Sequence, residues 1–463
     1  MDNSTPPALF GSDLSNAELF ISMHGGRVKY VKGRGWLVWS GAVWTDEGDE
    51  GPSQLAQVTA REVQRRAARI GNEDERDKAL SVARMAQNSP RLSAMMAVAR
   101  SSPEIYARWE DFDRSSTLFN CANGVLNLRT GELTAHNPAL LLTRLSPAQS
   151  GVSADCPRWK TFVSDITGGD DSMSSYLQRV AGYCLTGSIQ EKCFFFCFGG
   201  GNNGKSVYIE TLKALLGSYA VAVNSSSLVK QRFSGGIPND IARLAGPRLA
   251  TVSETTKGER WNDSLLKDLT GGDEITARFL KQEFFDFRPK CKLIIRGNNK
   301  PELDDFSSAM WDRIQLIPFD VDIPEEKKDK QLLEKLIKYE LNGILSWALD
   351  GCLEWRSIGL SPPQKVLDAV REYREESDIV GMFTRNCLEN CHLDVKTKAQ
   401  DIYGAYRKWC DQCGYRHETM TAFGIELGRK NLKKGISAGR IVYMGVRLRA
   451  DNEDIRAGDS SVV

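Results

Sequence analysis

Four short apolar segments in the middle of the chain, each bounded by polar or glycine-rich residues, predict buried β-strands. They cover residues 193–198, 248–254, 292–297 and 314–319. Strands buried on both faces of a parallel sheet are near-continuous apolar runs of this length. After the first segment, Tyr208, Leu212, Leu215 and Leu216 recur at helical spacing until Gly217, a residue typical of a helix end. The pattern predicts an α/β core in which helices connect parallel strands.

The segments around this core have different patterns. Residues 54–100 are rich in Ala, Arg, Glu and Met, which predicts helices. Residues 36–44 and 120–142 contain short apolar stretches separated by Ser-Gly, Asn-Gly and Thr-Gly pairs, which predicts hairpins. Further helices are predicted over 157–191, leading into the sheet, and over 325–375, covering it.

Near the C-terminus, three predicted helices and a hairpin suggest a winged helix. The helices are predicted over 378–391, 398–413 and 420–430, and the hairpin over 436–449. We therefore predict three domains, which are a mixed α+β N-terminal region over 1–150, the core with its helical lead-in and lid over 151–360, and a winged-helix-like DNA-binding domain with a disordered tail over 361–463.

Composition narrows the class of protein. The 463 residues suffice for about three domains, and the 41% hydrophobic fraction supports sizeable cores. Lys and Arg number 61 against 60 for Asp and Glu, so any nucleic-acid contact must use local basic patches. The 11 cysteines follow no regular framework, which indicates a reducing compartment. No signal peptide or membrane-spanning run is present, so we expect a cytoplasmic protein without membrane contacts.

A glycine-rich loop directly follows the first predicted strand. Residues 199–206, GGGNNGKS, satisfy G-x-x-x-x-G-K-[ST] between a strand and a helix, which is the context that gives this motif its meaning. Glycines let backbone N–H groups approach phosphate oxygens, and the following helix N-terminus favours negative charge. We predict that ATP phosphates bind Gly199, Gly200, Gly201, Asn202, Asn203, Gly204, Lys205 and Ser206, with Lys205 at the β/γ-phosphates and the Ser206 hydroxyl on Mg²⁺.

The later strands end or begin at polar residues that could complete an ATP site. Glu254 ends its strand, where parallel sheets present ligand groups, and could orient Mg²⁺ or polarise the attacking water. Asn298 and Asn299 end the next strand, and an amide can bridge a γ-phosphate and a water. Arg313 precedes the last strand and could stabilise charge on the phosphoryl group that is transferred. Each has a plainer alternative, namely a surface residue, a turn or an ion pair.

Two basic segments are candidates for nucleic-acid contact. Residues 274–289 predict an inserted hairpin with a basic tip, in which Arg278 and Lys281, with Lys267 just upstream, could hold a phosphate backbone. Between 429 and 449 no acid interrupts a series of cations, which are Arg429, Lys430, Lys433, Lys434, Arg440, Arg447 and Arg449. Either segment could also be an ordinary solvated surface.

Three weaker sequence signals suggest other kinds of functional site. The tryptophans of 36–44 could stack on bases, although hairpin core is the commoner role. Asp111 and Asp113 have the spacing of metal-binding carboxylates in nucleotidyl transferases, but no supporting motif stands near. The four cysteines Cys387, Cys391, Cys410 and Cys413, with His392 and His417, have spacings suggestive of zinc, yet they fall in predicted helices.

The order of five segments resembles the superfamily 3 helicases. These segments are GGGNNGKS, LATVSE, LLKDLTGGDEITARFL, KLIIRGNNKP and MWDRIQLIPF. The resemblance is strongest to the phage and plasmid primase-helicase branch, which has poxvirus relatives. NGVLNLRTGEL and YLQRVAGYCLTG are similar to the region that precedes the helicase core in that branch.

The resemblance implies an AAA+ P-loop ATPase core, a hexameric ring and ATP-driven movement along one DNA strand. It implies that Glu254 is the acidic residue of the second motif, that Asn298 is the sensor and that Arg313 is the arginine finger acting on a neighbouring subunit. Asp312 stands where the family often has another arginine, and a single carboxylate stands where other branches have a pair. Many relatives carry an N-terminal primase, and from the short N-terminal region we expect a helicase without one.

The sequence therefore favours an ATP-dependent DNA helicase of a phage, plasmid or mobile element acting in replication initiation. Its expected partners are single-stranded and forked DNA, further copies of itself in a ring and a separate primase or polymerase. Two other classes remain open at this point. One is an origin-binding initiator whose ATPase drives assembly or melting, and the other is a P-loop kinase for a small molecule.

Overall fold

The computed structural model describes most of the chain, over residues 12–152, 155–230, 239–252, 260–279, 283–303 and 307–449. Three predicted features, the disordered tail, Glu254 and Lys281, lie outside the described residues. Among the described helices, none combines the length and the apolar character needed to span a lipid bilayer.

The N-terminal region combines helices with two small sheets. Its elements are α1 (Asp13–His24), β1 (Val28–Val31), β2 (Gly35–Trp39), β3 (Trp44–Asp46), α2 (Glu50–Ala67), α3 (Glu73–Met85), α4 (Ser89–Ala99), β4 (Tyr106–Ala107), β5 (Leu118–Cys121), β6 (Gly124–Asn127) and β7 (Leu133–Thr134). The sheets have the orders β3-β2-β1-β4 and β5-β6-β7. The predicted helices and hairpins of this region are confirmed. Trp36 and Trp44 are buried in it, so neither is available to stack on bases.

The central region is a parallel sheet flanked by helices. Its elements are α5 (Pro157–Thr167), α6 (Asp171–Leu185), β8 (Phe194–Phe198), α7 (Lys205–Leu216), β9 (Ala220–Val223), α8 (Asn239–Ala242), β10 (Leu249–Val252), α9 (Asp263–Gly271), β11 (Ile275–Ala277), β12 (Phe285–Phe287), β13 (Lys292–Gly297), α10 (Ser308–Trp311) and β14 (Ile314–Pro318). The strand order is β14-β8-β13-β10-β9, and every pairing is parallel. The four strands predicted from apolar runs are confirmed.

Apolar side chains of β8 fill the space on both faces of this sheet. Phe195 and Cys197 pack on one face against α5, α6 and α7, while Phe194 and Phe196 pack on the other. This alternation explains why the strand is continuously apolar, because each successive side chain enters a different core. Burial also raises the pKa of the Cys197 thiol to about 12, so it stays protonated and inert at neutral pH.

A helical segment follows the sheet and packs back onto α6. It comprises α11 (Leu332–Lys335), a π-helical turn (Leu336–Glu340), α12 (Leu341–Ile358) and α13 (Gln364–Ser377). Gly182 on α6 faces the backbone of Cys352 on α12, and a Cβ at that glycine would overlap the backbone nitrogen. The absence of side chains at this crossing lets the two helices approach closely.

The C-terminal region contains the three predicted helices and the predicted hairpin. Its elements are α14 (Ile379–Cys387), β15 (Leu388–Asn390), β16 (Lys396–Lys398), α15 (Ala399–Cys413), α16 (Met420–Arg429), β17 (Lys433–Ser437), β18 (Arg440–Met444) and β19 (Val446–Leu448). The prediction of a helix as far as residue 391 is wrong, because β15 leaves the helix to pair with β19. Among the described residues, no group of three or more His, Cys, Asp or Glu side chains could hold a metal ion, so zinc is not supported.

Candidate functional site

The glycine-rich loop turns sharply between β8 and α7. Three of its residues have positive φ angles, with Gly199 at 153°, Asn202 at 61° and Gly204 at 83°. Only glycine adopts such angles without strain, apart from Asn, which tolerates the left-handed region. A Cβ at Gly199 would overlap the carbonyl oxygen of Phe319, and one at Gly204 would overlap the side chain of Ile166. The loop conformation therefore requires glycine at both positions.

Lys205 is the first residue of α7, and its ammonium lies inside the loop. The side chain is 7% exposed. Its Nζ donates to the carbonyl oxygens of Gly199 at 2.7 Å and Gly200 at 2.6 Å, and to Asn203 Oδ1 at 3.0 Å. These are neutral acceptors, whereas a phosphate oxygen would be a charged and stronger one. The ammonium is thus positioned where it could exchange carbonyl contacts for phosphate contacts.

Asn203 connects the loop to the end of the neighbouring strand. Its Nδ2 donates to the carbonyl oxygens of Gly200 at 2.8 Å and Phe319 at 2.7 Å, and the side chain is buried. Because Phe319 directly follows β14, this amide fixes the loop to the end of that strand. The sequence predicted Asn203 as a phosphate contact, and the structure gives its side chain a positioning role in addition.

A cavity of about 440 Å³ opens beside the loop. It is lined by loop and helix residues 200–207 and by Arg296, Gly297 and Asn298 at the end of β13. Asn298 is exposed and lies beside the loop because β13 and β8 are paired neighbours in the sheet. The structure therefore brings Asn298 together with Lys205 and Ser206, as the prediction of one shared site requires.

Arg296 is a functional candidate that the sequence did not single out. Its Nη1 donates to Ser206 Oγ at 3.3 Å, so a second cation lies at the cavity wall. The signal available in the sequence was an arginine near the end of an otherwise apolar strand, two residues before Asn298. An exposed charge at that strand end would stand at the ligand edge of a parallel sheet.

Arg313 lies at the amino-terminal end of the sheet strands, whereas the loop lies at their carboxyl-terminal end. Its carbonyl oxygen accepts from the backbone N–H of Phe194, at the start of β8, whereas the loop follows the end of β8. A five-residue strand spans roughly 16 Å, which exceeds the reach of an arginine side chain. The guanidinium Nη1 donates to the Ala309 carbonyl, and its Nε is buried with no hydrogen-bond partner among the described residues. Within one chain, Arg313 and Lys205 are therefore separate.

A second, more apolar cavity of about 610 Å³ lies on the other side of the loop. Its lining includes Phe162 and Asp165 of α5, Asn202 of the loop, Val207 of α7 and Leu332 of α11. Glu340, in the π-helical turn, orients α5 by accepting from the backbone N–H of Trp159 at 3.0 Å. The covering helices thus hold the wall of this cavity in place.

The inserted hairpin is confirmed as an antiparallel pair of β11 and β12. Arg278 follows β11, and its guanidinium carbon lies 4.9 Å from the ring centroid of Phe284. Phe284 is 58% exposed and was not singled out from the sequence. An exposed ring beside an arginine is a surface on which a base could stack. Lys267 lies on α9, close in the chain to this hairpin.

The C-terminal cations fall into two groups. Arg429 is paired with Glu426 at 2.5 Å, Lys430 with Asp378 and Arg447 with Glu389, so acids outside the basic series neutralise part of it. Lys433, Lys434 and Arg440 are exposed on the β17–β18 hairpin. Within the part of the chain that the structure describes, none of these three forms a salt bridge. The hairpin is therefore the cationic part of the region.

Fold and site together define a mixed α/β protein whose parallel sheet carries a glycine-rich loop with the P-loop sequence pattern between β8 and α7. A family model described as D5 N terminal like matches residues 17–168, and a family of unknown function, DUF5906, matches residues 197–313. These matches, with the relatives that follow, confirm the resemblance to the superfamily 3 helicases and their helicase-primase relatives.

The relatives are proteins of large DNA viruses. This chain is 29% identical over 259 residues to "Putative helicase 022R" of frog virus 3 (isolate Goorha), covering 52% of this chain and 26% of that protein. It is 28% identical over 345 residues to "Putative helicase 121R" of invertebrate iridescent virus 3, covering 66% and 36%. The chain thus spans about a quarter to a third of the length of these curated relatives. A solved structure, the A form apo structure of the NrS-1 C terminal region, covers 93% of this chain and is 98% covered itself, at 10% identity and a TM-score of 0.48.

Proposed function

We propose that this chain is an ATP-dependent DNA helicase subunit of a mobile genetic element, such as a phage or plasmid, acting in replication. The observation that carries the proposal is the buried Lys205 ammonium, held by the Gly199 and Gly200 carbonyls next to an open cavity. A triphosphate in that cavity would replace neutral acceptors with charged ones, and the glycine backbone would supply further donors. The names of the viral relatives support the helicase assignment.

ATP and Mg²⁺ are the proposed ligands of this site. Ser206 would hold the metal through its hydroxyl, Glu254 would complete the metal or water site, and Asn298 would orient the attacking water. Arg296, which already contacts Ser206, would add positive charge near the γ-phosphate. The 610 Å³ cavity beside Phe162 and Val207 suits the base, because nucleobases favour apolar walls with a few polar groups.

Arg313 would act on the ATP of a neighbouring subunit. Arg313 lies at the end of the strands away from the loop, so it cannot reach an ATP bound at the loop of its own chain. An arginine finger at this position therefore requires a second copy of the chain. A contact that joins one end of the sheet in each copy to the opposite end in the next copy is heterologous, and heterologous contacts form a ring when the rotation between copies closes. This reasoning supports a ring, and we propose a hexamer with the AAA+ architecture, to which the β14-β8-β13-β10-β9 order is suited.

DNA would contact two separate surfaces. The β11–β12 hairpin, with Arg278, Phe284 and Lys281, would face a single strand in the centre of the ring. The C-terminal region has the order helix, two short strands, two helices, hairpin and a last short strand. We propose that it acts as a winged helix, which would bind duplex or forked DNA through Lys433, Lys434 and Arg440. A separate primase or polymerase would supply the synthesis that unwound strands need.

The test mixes two inactive variants. Lys205→Ala and Arg313→Ala should each abolish ATP hydrolysis stimulated by single-stranded DNA. If Arg313 acts on a neighbour, random mixing should restore about a quarter of the interfaces, because those join an intact loop to an intact arginine. Arg65→Ala, an exposed arginine of α2, is the matched control and should keep full activity. Absence of any recovery in correctly assembled mixtures would contradict action between subunits.

Strand displacement then separates a helicase from an initiator. A forked duplex without any origin sequence should be unwound when ATP is added, and Lys205→Ala should bind it without unwinding it. Melting restricted to one specific sequence would instead identify an origin-binding initiator. Phosphorylation of a small molecule without any stimulation by DNA would identify a kinase and overturn the proposal.

A further inference from the structure

The hairpin of β17 and β18, residues 433–444, presents apolar side chains to solvent. Ile436 and Ile441 are directly paired across the two strands, two residues from the turn at Ala438 and Gly439. Ile436 is 81% exposed and Ile441 is 44% exposed. Single exposed aliphatic residues are common on protein surfaces, but a cross-strand pair near the tip of a hairpin forms a continuous apolar surface.

The same face of the hairpin changes from buried to exposed along its length. Ile441 and Tyr443 are two positions apart on β18 and therefore point to the same side. Tyr443 is buried in the C-terminal core, with its hydroxyl next to Gly424 of α16. Ile441 lies two residues closer to the tip and is not covered by the C-terminal core. The tip thus projects past the helices, and it carries its apolar face outward.

Cations surround this apolar pair. Lys434 lies on the same face, two positions before Ile436, while Lys433 and Arg440 lie on the other face. All three are exposed, and the structure gives them no ion pair with any residue that it describes. A projecting ribbon with an apolar end and cations on both faces fits a ligand that combines flat apolar surfaces with phosphates.

We propose that Ile436 and Ile441 pack against the terminal base pair where duplex DNA meets single strands, while Lys433, Lys434 and Arg440 hold the two backbones. This inference rests on the proposed DNA binding and adds to it a specific position on a fork. A terminal base pair already exposes one face, so this contact needs no unstacking, whereas insertion inside a duplex would require unstacking of a base step. The hairpin would thereby keep separated strands from reannealing.

A second copy of the chain fits the surface less well. In a symmetric contact through the isoleucines, both hairpins would bring their three cations together, and like charges placed opposite each other are destabilising. A polyanion meets the same cations with opposite charge. Charge therefore favours DNA as the occupant of this surface.

The experiment uses the full-length chain and a forked duplex carrying 2-aminopurine at the terminal pair. Binding is followed by anisotropy of a separate dye on the distant duplex end, and contact with the terminal pair is followed by 2-aminopurine fluorescence. Ile436→Ala/Ile441→Ala should keep binding within about threefold, because phosphate contacts dominate affinity, and should lose most of the fluorescence change. The matched control is Ile358→Ala/Leu367→Ala, which alters two exposed aliphatic residues on α12 and α13 and should behave as wild type.

Each outcome decides the proposal. An unchanged fluorescence response in the double isoleucine variant overturns the fork contact, while intact ATP hydrolysis and binding would leave the helicase proposal standing. A shift of that variant to a smaller assembly, with unaltered fluorescence, would assign the surface to a contact between copies and also overturn it. If the wild-type protein neither binds DNA nor hydrolyses ATP in response to DNA, the proposed function itself is contradicted. Both isoleucines are exposed, so unchanged thermal unfolding should accompany every result.

Discussion

Buried cations lie at both ends of the strands of the central sheet. We call the end near the strands' C-termini the carboxyl edge and the end near their N-termini the amino edge. At the carboxyl edge, Lys205 donates to the carbonyl oxygens of Gly199 and Gly200. At the amino edge, Arg248 donates to the carbonyls of Leu185, Ser115 and Leu118, and Lys292 donates to that of Thr186. Each of these cations donates to main-chain carbonyl groups, and Lys205 donates in addition to the side-chain carbonyl of Asn203. Burial and partner type therefore do not distinguish a binding cation from a structural one.

The difference is the space next to each charge. Lys205 borders the 440 Å³ cavity, so a ligand can reach it and take over its contacts. Arg248 and Lys292 line none of the cavities described above, and Arg248 instead links the N-terminal strand β5 to the core. Desolvation lowers the pKa of both amino-edge groups, which means that burial there has a cost. We infer that Arg248 fixes the N-terminal region to the sheet, that Lys292 fixes the segment that follows α6, and that the carboxyl-edge cation would serve a ligand.

The largest effect is expected for Lys205→Ala. It should reduce DNA-stimulated ATP hydrolysis by about 1000-fold, since a lost charge contact to the transferred phosphoryl group costs about 4 kcal/mol. Urea unfolding should change by no more than about 1 kcal/mol, because the carbonyls left behind can be hydrated from the cavity. A large loss of stability with little loss of hydrolysis would mean that Lys205 is structural, like the cations of the other edge.

Arg248→Met should show the opposite behaviour. Three main-chain carbonyls would lose a buried donor, and the aromatic contact between the guanidinium and Tyr219, at 4.5 Å from the ring centroid, would disappear. We expect a loss of about 3 kcal/mol in the free energy of unfolding, measured by urea titration, with ATP hydrolysis retained below the transition. Arg65→Met on α2 is the matched surface control and should be neutral within about 0.5 kcal/mol. Unchanged stability would show that the amino edge does not depend on Arg248.

Gly204→Ala tests the shape of the carboxyl edge without changing its charge. The new Cβ would meet the Ile166 side chain, and φ is 83° at this position, so we expect a loss of about 2 kcal/mol in stability and weaker nucleotide binding. Gly201→Ala is the control, because its Cβ would have nothing within 4 Å, and its stability should stay within about 0.5 kcal/mol. Equal stability of the two variants would contradict the close packing of the loop on α5.

Much of the core could be predicted because its signals are local. The strand, glycine loop and helix around Lys205 occupy consecutive residues, and apolar runs identify the other strands. Asn298 and Asn299 were predicted from the polar end of their strand, the resemblance selected Asn298, and the pairing of β13 with β8 brings Asn298 to the loop. Arg313 also precedes its strand as predicted, but only the sheet topology shows that it faces away from the loop of its own chain.

The features missed from the sequence depend on distant partners. Arg248 binds carbonyls of residues about 130 positions earlier, and no local pattern reveals such a contact. The predicted helix over 378–391 ended early because β15 pairs with a strand about 60 residues later. Arg296 and Phe284 gained significance only from their neighbours, Ser206 and Arg278. A tertiary contact overrode local helix propensity at β15, and the other three features are contacts with residues outside the local sequence.

The smallest expected effect concerns Lys292 and pH. Burial lowers the pKa of its ammonium to about 8, whereas a lysine in the unfolded chain titrates near 10.4. Between these values the unfolded chain binds more protons than the folded one, so this group makes the folded state more stable as pH rises through 8. Below pH 8 both states are protonated and the full cost of burial remains. Relative to Lys292→Met, which cannot titrate, the wild type should gain about 1 kcal/mol between pH 7 and pH 9.

Urea unfolding of both proteins at pH 7, 8 and 9 measures this difference. Subtraction removes the contribution of a buried cysteine such as Cys197, whose raised thiol pKa makes the folded state less stable as pH rises above 9 and does not depend on Lys292. A flat difference across this range would mean that the carbonyls of Thr186 and Ser188 hold the proton on Lys292 as strongly as water does. In that case the two edges of the sheet would stabilise their cations equally, and only access to the cavity would separate them.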